Sequence, residues 1–128
     1  MKEKIELSIV IHADPETLYK AWLSSEGHSA MTGGDAECSE TEGAPYSAWD
    51  GYITGTNTKL IPFSEIQQHW RTTEFSDDDE DSHLIIRFNE HQEGTELTLI
   101  HTNIPEGQTQ YESGWKNHYF EPMTQYFN

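Results

Sequence analysis

TQYESGWKNHYFEPMTQYFN, residues 109–128, carries the strongest long-period apolar pattern of the sequence. Within it, Tyr111, Trp115, Tyr119 and Met123 follow one another at intervals of four. Because side chains three or four positions apart share one face of a helix, this spacing predicts a long C-terminal helix with an almost wholly aromatic face. Such a face has to be buried, so the rest of the chain is expected to form the layer that covers it.

The end of this helix contains one residue that disfavours helical structure. Pro122 removes one backbone hydrogen bond and presses against the preceding turn, which predicts a bend in the helix and not its end. Beyond the proline, Tyr126 or Phe127 is expected to extend the apolar stripe.

The composition indicates one compact unit with an aromatic core. A chain of 128 residues is expected to form a single domain, residues 1–128, that buries about two thirds of its unfolded surface. Only 34% of the residues are hydrophobic, but they include 4 Trp, 6 Tyr and 5 Phe. Each buried aromatic side chain removes about 150–250 Å² from water, so aromatic residues should dominate the core.

The charge balance argues against two classes of partner. Against 23 Asp and Glu the chain has 7 Lys and Arg, which gives a formal charge of −16. This charge repels phosphate backbones and anionic lipids, so no nucleic-acid or membrane partner is expected. Cys38 is the single cysteine, which rules out an internal disulfide. With no signal-peptide pattern and no apolar run of about 18 residues, the sequence predicts a cytoplasmic protein.

The N-terminal part predicts a strand and then a short helix. Apolar and polar residues alternate from residue 5 to residue 11, which is typical of a strand with one buried face. Asp14 followed by Pro15 predicts the start of a helix that ends at about Leu23.

Two longer segments follow. Residues 24–45 are rich in Ser, Thr, Gly, Glu and Asp and are expected to be irregular, with at most one weak strand. Residues 46–56 are aromatic and β-branched and predict one long, curved strand. Asn57 is expected to begin a turn.

The remaining strands alternate strictly. Three of them are predicted, within residues 64–75, 83–89 and 95–104, each with one apolar face. The fold class is therefore α+β, with a curved antiparallel sheet that grips the C-terminal helix. Aromatic side chains rarely fill the space between such layers completely, so a cavity between sheet and helix is the natural ligand site.

Motifs for catalysis or metal binding are lacking in the sequence. No phosphate-binding loop, zinc-protease motif or nucleophile elbow occurs, and the 7 histidines do not have the spacing of a zinc site. The five acids at residues 77–81 lack the ligand spacing and glycine of a calcium loop, so they predict a solvated connection. Neither a metal nor a cofactor is expected.

Each of four polar residues can be interpreted as having either a structural or a functional role. His101 shares its strand face with Leu97 and Leu99 and is expected to lie near Trp115 as a buried, hydrogen-bonded histidine. The alternative is that His101 or Asp50 acts as a general base. Arg71 and Arg87 are expected to form ion pairs across strands, the alternative being a surface that docks a partner.

Four segments carry a resemblance to a known family. They are AWDGYITGT (residues 48–56), QHWRTTEF (68–75), GTELTLIHTNIP (94–105) and GWKNHYFEPM (114–123). In this order and spacing they closely resemble the activator of heat shock protein 90 ATPase homologue family. This family is part of the START-like, helix-grip superfamily, which also contains polyketide cyclases and Bet v allergens. The chain looks similar to bacterial single-domain members of this family.

The resemblance implies a START-like domain that binds a small, mostly apolar ligand without catalysis. Two alternatives remain: a co-chaperone of the stress response that binds heat shock protein 90 and modulates its ATPase, and a polyketide cyclase-like enzyme. A monomer or weak dimer is expected. The side chains expected to contact a ligand are Trp49, Ile53, Trp70, Phe88, Leu99, His101, Trp115 and Tyr119.

Overall fold

A six-stranded antiparallel sheet is the frame of the computed structural model, which describes residues 2–128. The spatial order of its strands is β1-β6-β5-β4-β3-β2, so the first strand of the chain pairs with the last. The predicted α+β class, with a curved antiparallel sheet and a C-terminal helix, is confirmed. In chain order the strands are β1 (Glu3–Ile11), β2 (Pro45–Ala48), β3 (Ile53–Ile61), β4 (Glu65–Thr72), β5 (Ser82–His91) and β6 (Gly94–Ile104).

Helices lie at two points of the chain. Two short helices, α1 and α2, connect β1 to β2, and a longer helical segment, residues 111–126, follows β6 and is called the terminal helix below. No helix among residues 2–128 is long and apolar enough to cross a membrane. The helical elements are α1 (Pro15–Leu23), α2 (Ser25–Thr32), α3 (Tyr111–Trp115), a π-helical turn (Lys116–Phe120) and α4 (Glu121–Tyr126).

Helix α1 begins and ends where the sequence predicts. The Asp14 side chain accepts a hydrogen bond of 2.8 Å from the backbone N–H of Thr17, and Pro15 occupies the first turn, where a missing N–H costs nothing. The helix buries Trp22 and Leu23, among others, against the core.

Helix α2 corrects the prediction that residues 24–45 are irregular. Ser24 caps its start by accepting a 3.0 Å hydrogen bond from Gly27 N–H, and Gly33, with φ of 86°, ends it in the left-handed conformation. The sequence reading was wrong because α2 has no long apolar stripe. It buries His28 and Met31 and depends on its caps and on tertiary packing.

A turn also divides the predicted single strand at residues 46–56. Trp49, Asp50 and Gly51 have φ values of 53°, 59° and 88°, and three successive left-handed residues reverse the chain. Ala48 therefore pairs with Ile53, and β2 and β3 form a hairpin. Two of these residues are not glycine, which made the turn hard to predict.

Asn57 was predicted to begin a turn but lies inside β3, next to an irregularity in the pairing with β4. Its buried amide donates to the carbonyl oxygens of Ser39 at 2.9 Å and Thr41 at 3.1 Å and accepts from Gln68 at 2.9 Å. Asn57 thus fastens the loop before β2 to the sheet.

The other strands have the predicted faces. Alternate residues of β4, β5 and β6 are buried and face the helices, which confirms the parity derived from the sequence. They include Ile66, Gln68, Trp70, Thr72, Leu84, Ile86, Phe88, Leu97, Leu99 and His101.

The terminal helix continues through its proline. In the π-helical turn, Glu121 N–H donates to the carbonyl oxygen of Lys116, five residues earlier. This wider turn directly precedes Pro122, which lies in the first turn of α4 and has no N–H to donate. Tyr126 is 56% exposed, so Phe127, which packs against the core, is the residue that extends the stripe.

Gly55 marks the closest approach of β3 to β4. A Cβ atom there would overlap the backbone carbonyl oxygen of His69, whereas a Cβ at Gly114 in the terminal helix would meet nothing within 4 Å. We therefore expect Gly55→Ala to lower the free energy of unfolding by about 1–3 kcal/mol. Gly114→Ala should raise it by about 0.5–1 kcal/mol. Urea unfolding checks both, and equal effects would contradict the assigned strand packing.

Candidate functional site

A cavity of about 290 Å³ lies between the sheet and the terminal helix. The turn between β2 and β3, the adjoining parts of β3 and β4, and one face of the terminal helix form its walls. Six of its nine lining side chains are Trp or Tyr, so the walls are largely aromatic. The lining residues are Trp49, Tyr52, Ile53, Trp70, Tyr111, Gly114, Trp115, His118 and Tyr119.

Five of the eight side chains that the sequence analysis selected line this cavity. They are Trp49, Ile53, Trp70, Trp115 and Tyr119.

The other three selected side chains lie elsewhere in the core. The ring of Phe88 packs against Tyr19 at 5.9 Å, and Leu99 is fully buried. His101 lies against Trp70 and Trp115, with ring centroids at 4.5 and 5.7 Å. These three residues share the correct strand face, but the sheet is longer than the cavity, so parity alone does not decide which side chains reach it.

Sequence reasoning missed Tyr52, Tyr111, Gly114 and His118 as lining residues. The last two stand three and seven positions after Tyr111, on the same helical face, so helical spacing would have found them. Tyr52 follows the left-handed turn, and its placement could be inferred only once that turn was recognised.

Each polar aromatic residue of the helical stripe is anchored by a buried hydrogen bond. Tyr111 bonds the hydroxyl of Thr72 on β4 at 2.7 Å, and Trp115 donates its N–H to Nδ1 of His101 at 3.0 Å. Tyr119 bonds Nε2 of His28 on α2 at 2.7 Å. The stripe is therefore held in position by directional bonds as well as by packing.

His101 is the centre of a hydrogen-bond chain through the sheet. Since Nδ1 accepts from Trp115, Nε2 carries the proton and donates to Ser82 Oγ at 2.8 Å. Ser82 in turn donates to the carbonyl oxygen of Trp70 at 2.6 Å. Burial lowers the pKa of His101 to about 3, and nearby His83 acts in the same direction. His101 is thus a neutral, fully bonded core histidine, as the sequence predicted.

His28 has a similar environment next to Tyr119. Its Nδ1 donates to the carbonyl oxygen of Trp22 at 2.8 Å, which leaves Nε2 to accept from Tyr119. Burial lowers the pKa of His28 below its usual value. Sequence analysis did not find this role of His28 because α2 was not predicted.

Two of the tyrosines that line the cavity have further hydrogen-bond partners. Tyr52 donates to the carboxylate of Glu74, and Tyr111 donates to Gln108 at 2.7 Å. Burial raises the pKa of both tyrosines, and that of Tyr119 more strongly. The phenolic walls therefore stay uncharged at neutral pH.

Trp49 also lines the cavity. Its ring meets the exposed His118 edge to face at 5.3 Å and packs so closely on Gly34 that a Cβ there would overlap Cε3 of the indole. The indole nitrogen Nε1 is shielded from solvent, yet it has no hydrogen-bond partner among residues 2–128.

The other polar candidates lie outside the cavity. Asp50 is exposed in the β2–β3 turn. Arg71 pairs with Asp81 at 2.7 Å, and Arg87 pairs with Glu65 across β4 and β5 at 3.0 Å. The described part of the chain contains no group of three His, Cys, Asp or Glu side chains that could hold a metal ion.

The neutral state of His101 makes stability depend on pH. An unfolded histidine takes up a proton below about pH 6.5, whereas folded His101 stays neutral down to about pH 3. The stabilisation that neutral His101 gives to the folded state is therefore fully present above pH 6.5 and is lost as the pH falls towards 3. Between pH 7 and 5 this loss should reach about 2 kcal/mol of unfolding free energy.

His101→Gln should remove this contribution. Between pH 7 and 5, the unfolding free energy of the variant should therefore fall by about 2 kcal/mol less than that of the wild type. Urea unfolding at pH 7 and 5 measures the difference, and His12→Gln at the exposed surface controls for the loss of a histidine. Equal pH dependence in wild type and His101→Gln would contradict the assignment.

Comparisons with known proteins give the relatives of this chain. The sequence model of one protein family matches residues 12–128. The family is described as Activator of Hsp90 ATPase homolog 1-like protein. Activator of 90 kDa heat shock protein ATPase homolog 1 from Mus musculus is 28% identical over 125 residues, which are 97% of this chain and 37% of the relative. The Homo sapiens protein of the same name is 27% identical with the same coverage. The chain thus spans 37% of the length of these relatives.

Solved structures share the fold. An HSP90 activator from Plasmodium falciparum superposes with a TM-score of 0.80 at 24% identity, covering 94% of this chain and 91% of that one. The Aha1 dimer from Colwellia psychrerythraea superposes with a TM-score of 0.77 at 17% identity, covering 98% and 93%.

Proposed function

Because the chain belongs to the Activator of Hsp90 ATPase homolog 1-like family and has an aromatic cavity, we propose that it binds a small, mostly apolar molecule in that cavity without converting it. The observation that carries this proposal is the cavity of about 290 Å³ between sheet and terminal helix. Trp49, Ile53, Trp70, Trp115 and Tyr119 are the contacts we propose among the side chains selected from the sequence.

The chemistry of the walls favours an apolar occupant. The polar atoms of Tyr111, Trp115 and Tyr119 already have partners in the protein, so they do not need a ligand to satisfy them. Each square ångström of apolar ligand surface that leaves water contributes about 25 cal/mol.

The positions of the two candidate bases support binding over catalysis. His101 uses both ring nitrogens inside the core, and its low pKa of about 3 makes it a poor proton acceptor at neutral pH. Asp50 is exposed and does not border the cavity.

Filling the cavity should abolish binding without unfolding the protein. Gly114 lies on the cavity wall with open space around it, so Gly114→Leu places a side chain in the space that a ligand would use. We expect it to weaken binding of naphthalene, an uncharged apolar probe, at least about tenfold relative to wild type. Titration calorimetry gives the two affinities.

Ser113→Leu is the matched control, because Ser113 precedes Gly114 in the same helix but is exposed. It should leave the affinity for naphthalene unchanged. Failure of the wild-type protein to bind naphthalene, or equal binding by Gly114→Leu, would contradict the proposed site.

The names of the relatives favour a second candidate function. The curated relatives are called activators of the 90 kDa heat shock protein ATPase, and this chain has a formal charge of −16. Such a surface can be attracted to a basic surface of a partner over long range. We propose, as the alternative, that the protein docks on Hsp90 and modulates its ATPase.

The salt dependence of the Hsp90 ATPase tests this alternative. Added protein should change the ATPase rate at low salt, and the effect should weaken as the ionic strength rises, because salt screens exposed charges. Gly114→Leu should retain the effect, since it alters only the cavity. An ATPase rate unchanged at low salt would exclude this function while leaving the cavity proposal intact.

A further inference from the structure

The aromatic walls of the cavity indicate which kind of mostly apolar molecule it recognises. We propose that the occupant is a small organic cation, an alkylated ammonium group on an apolar body, and that the rings of the cavity bind it through cation–π contacts. This inference rests on the proposed function of the cavity and specifies the chemistry of its ligand.

The first argument concerns what the walls offer. Four of the six aromatic residues that line the cavity have their polar atom hydrogen-bonded to another side chain of the protein. They are Tyr52, Tyr111, Trp115 and Tyr119. These residues therefore present a ligand with ring surface more than with hydrogen bonds. The face of an aromatic ring is electron-rich and attracts a cation that lies within about 6 Å of the ring centre.

The second argument concerns the arrangement of the rings. Trp115 is inclined by 39° to Trp70 and by 54° to Tyr119, and Tyr111 is inclined by 84° to Trp70. A parallel stack would cover the faces of its members, whereas rings inclined in this way surround a space on several sides. Several of them can therefore contact one compact group such as trimethylammonium.

Trp115 shows which ring surface is available. Trp22, which does not line the cavity, stacks on one face of Trp115 with ring centroids at 6.3 Å. The N–H edge of Trp115 is bound to His101. The face turned away from Trp22 is therefore the one that a ligand in the cavity can contact.

The third argument concerns charge. Among the described residues 2–128, those that line the cavity include no Lys or Arg that would repel a cation. A carboxylate lies beside the cavity, because Glu74 accepts a hydrogen bond from the hydroxyl of Tyr52. The formal charge of −16 also attracts cations over long range and repels anions. A charged group bound here should therefore be positive.

The access to the cavity limits the cost of removing a cation from water. Trp49, Tyr52 and Gly114 are half-buried and His118 is exposed, so the cavity meets solvent at these residues. A cation bound there keeps part of its hydration. A fully alkylated ammonium ion also has no N–H donor that an aromatic pocket would leave unpaired.

The volume sets the size of the ligand. A cavity of about 150 Å³ holds one benzene molecule, and the volume available here is about 290 Å³. One aromatic ring with an attached trimethylammonium group fits this space.

The main test compares two molecules of the same shape that differ in charge. Phenyltrimethylammonium is a cation, and tert-butylbenzene has carbon in place of its nitrogen. In NMR titrations of the wild-type protein, the cation should bind about tenfold more tightly than the hydrocarbon. Equal affinities, or tighter binding of the hydrocarbon, would overturn this inference and leave apolar binding standing. Binding of neither molecule would overturn the proposed function as well.

The site of cation binding is tested with Gly114→Leu, which fills the cavity and leaves the acidic surface unchanged. It should weaken binding of phenyltrimethylammonium at least about tenfold. Cation binding that persists in this variant would place the cation on the surface and overturn the inference.

Fluorination tests the role of the ring faces with little change of shape. Replacing all 4 Trp by 5-fluorotryptophan withdraws electron density from the indole faces. The affinity for phenyltrimethylammonium should fall about threefold, and that for tert-butylbenzene by less than about twofold. An equal effect on both molecules would contradict cation–π recognition.

Glu74→Gln tests the neighbouring carboxylate, since it removes the charge and keeps an acceptor for Tyr52. We expect about threefold weaker binding of the cation and unchanged binding of the hydrocarbon. Glu96→Gln is the matched control, because Glu96 is exposed on β6, does not line the cavity and changes the net charge equally. Equal effects of the two variants would contradict the role assigned to Glu74.

Competition distinguishes a free cation from a lipid headgroup. Choline should displace phenyltrimethylammonium more effectively than phosphocholine does, because the acidic protein repels the phosphate. The reverse order would indicate a phospholipid headgroup and overturn the proposal of a free organic cation.

Discussion

The hydrogen bond from Trp115 to His101 joins the two layers on which the structure depends. A helix with an aromatic face can slide or rotate on a sheet, because hydrophobic contact has no direction. The bond at 3.0 Å fixes the helix at one point, and the chain through Ser82 to the backbone of Trp70 carries that constraint across β6, β5 and β4. In a buried site of low dielectric such a chain is strong when complete and costly when broken. The position of the helix, and with it the cavity, follows from this constraint.

Features set by local periodicity could be predicted from the sequence. The stripe of the terminal helix, the faces of β4 to β6 and the capped start of α1 each depend on residues that are close in the chain, so their spacing is informative. The burial of His101 near Trp115 also followed from strand parity. These elements were sufficient for the fold class and, among the residues that line the cavity, for Trp70, Trp115 and Tyr119.

Features set by caps and by backbone conformation could not be predicted in this way. Helix α2 is stabilised at its ends by Ser24 and Gly33, and the β2–β3 turn places Trp49 and Asp50 in a conformation that their residue types do not suggest. The cavity depends on both helix α2 and the β2–β3 turn, because Gly34 follows α2 and Trp49 is the first residue of the turn. The hydrogen bond of Tyr119 to His28 therefore became visible only in three dimensions.

The π-helical turn explains how an aromatic stripe with a period of four remains in line. In a regular α-helix each step of four residues advances by about 40° beyond a full turn, so the three steps from Tyr111 to Met123 would accumulate about 120°. The wider turn at residues 116–120 takes up part of this rotation, and all four side chains stay buried. The number of residues between Trp115 and Met123 is thus more constrained than their identity. A one-residue deletion there would put the stripe out of phase with the sheet, whereas many exposed substitutions would not.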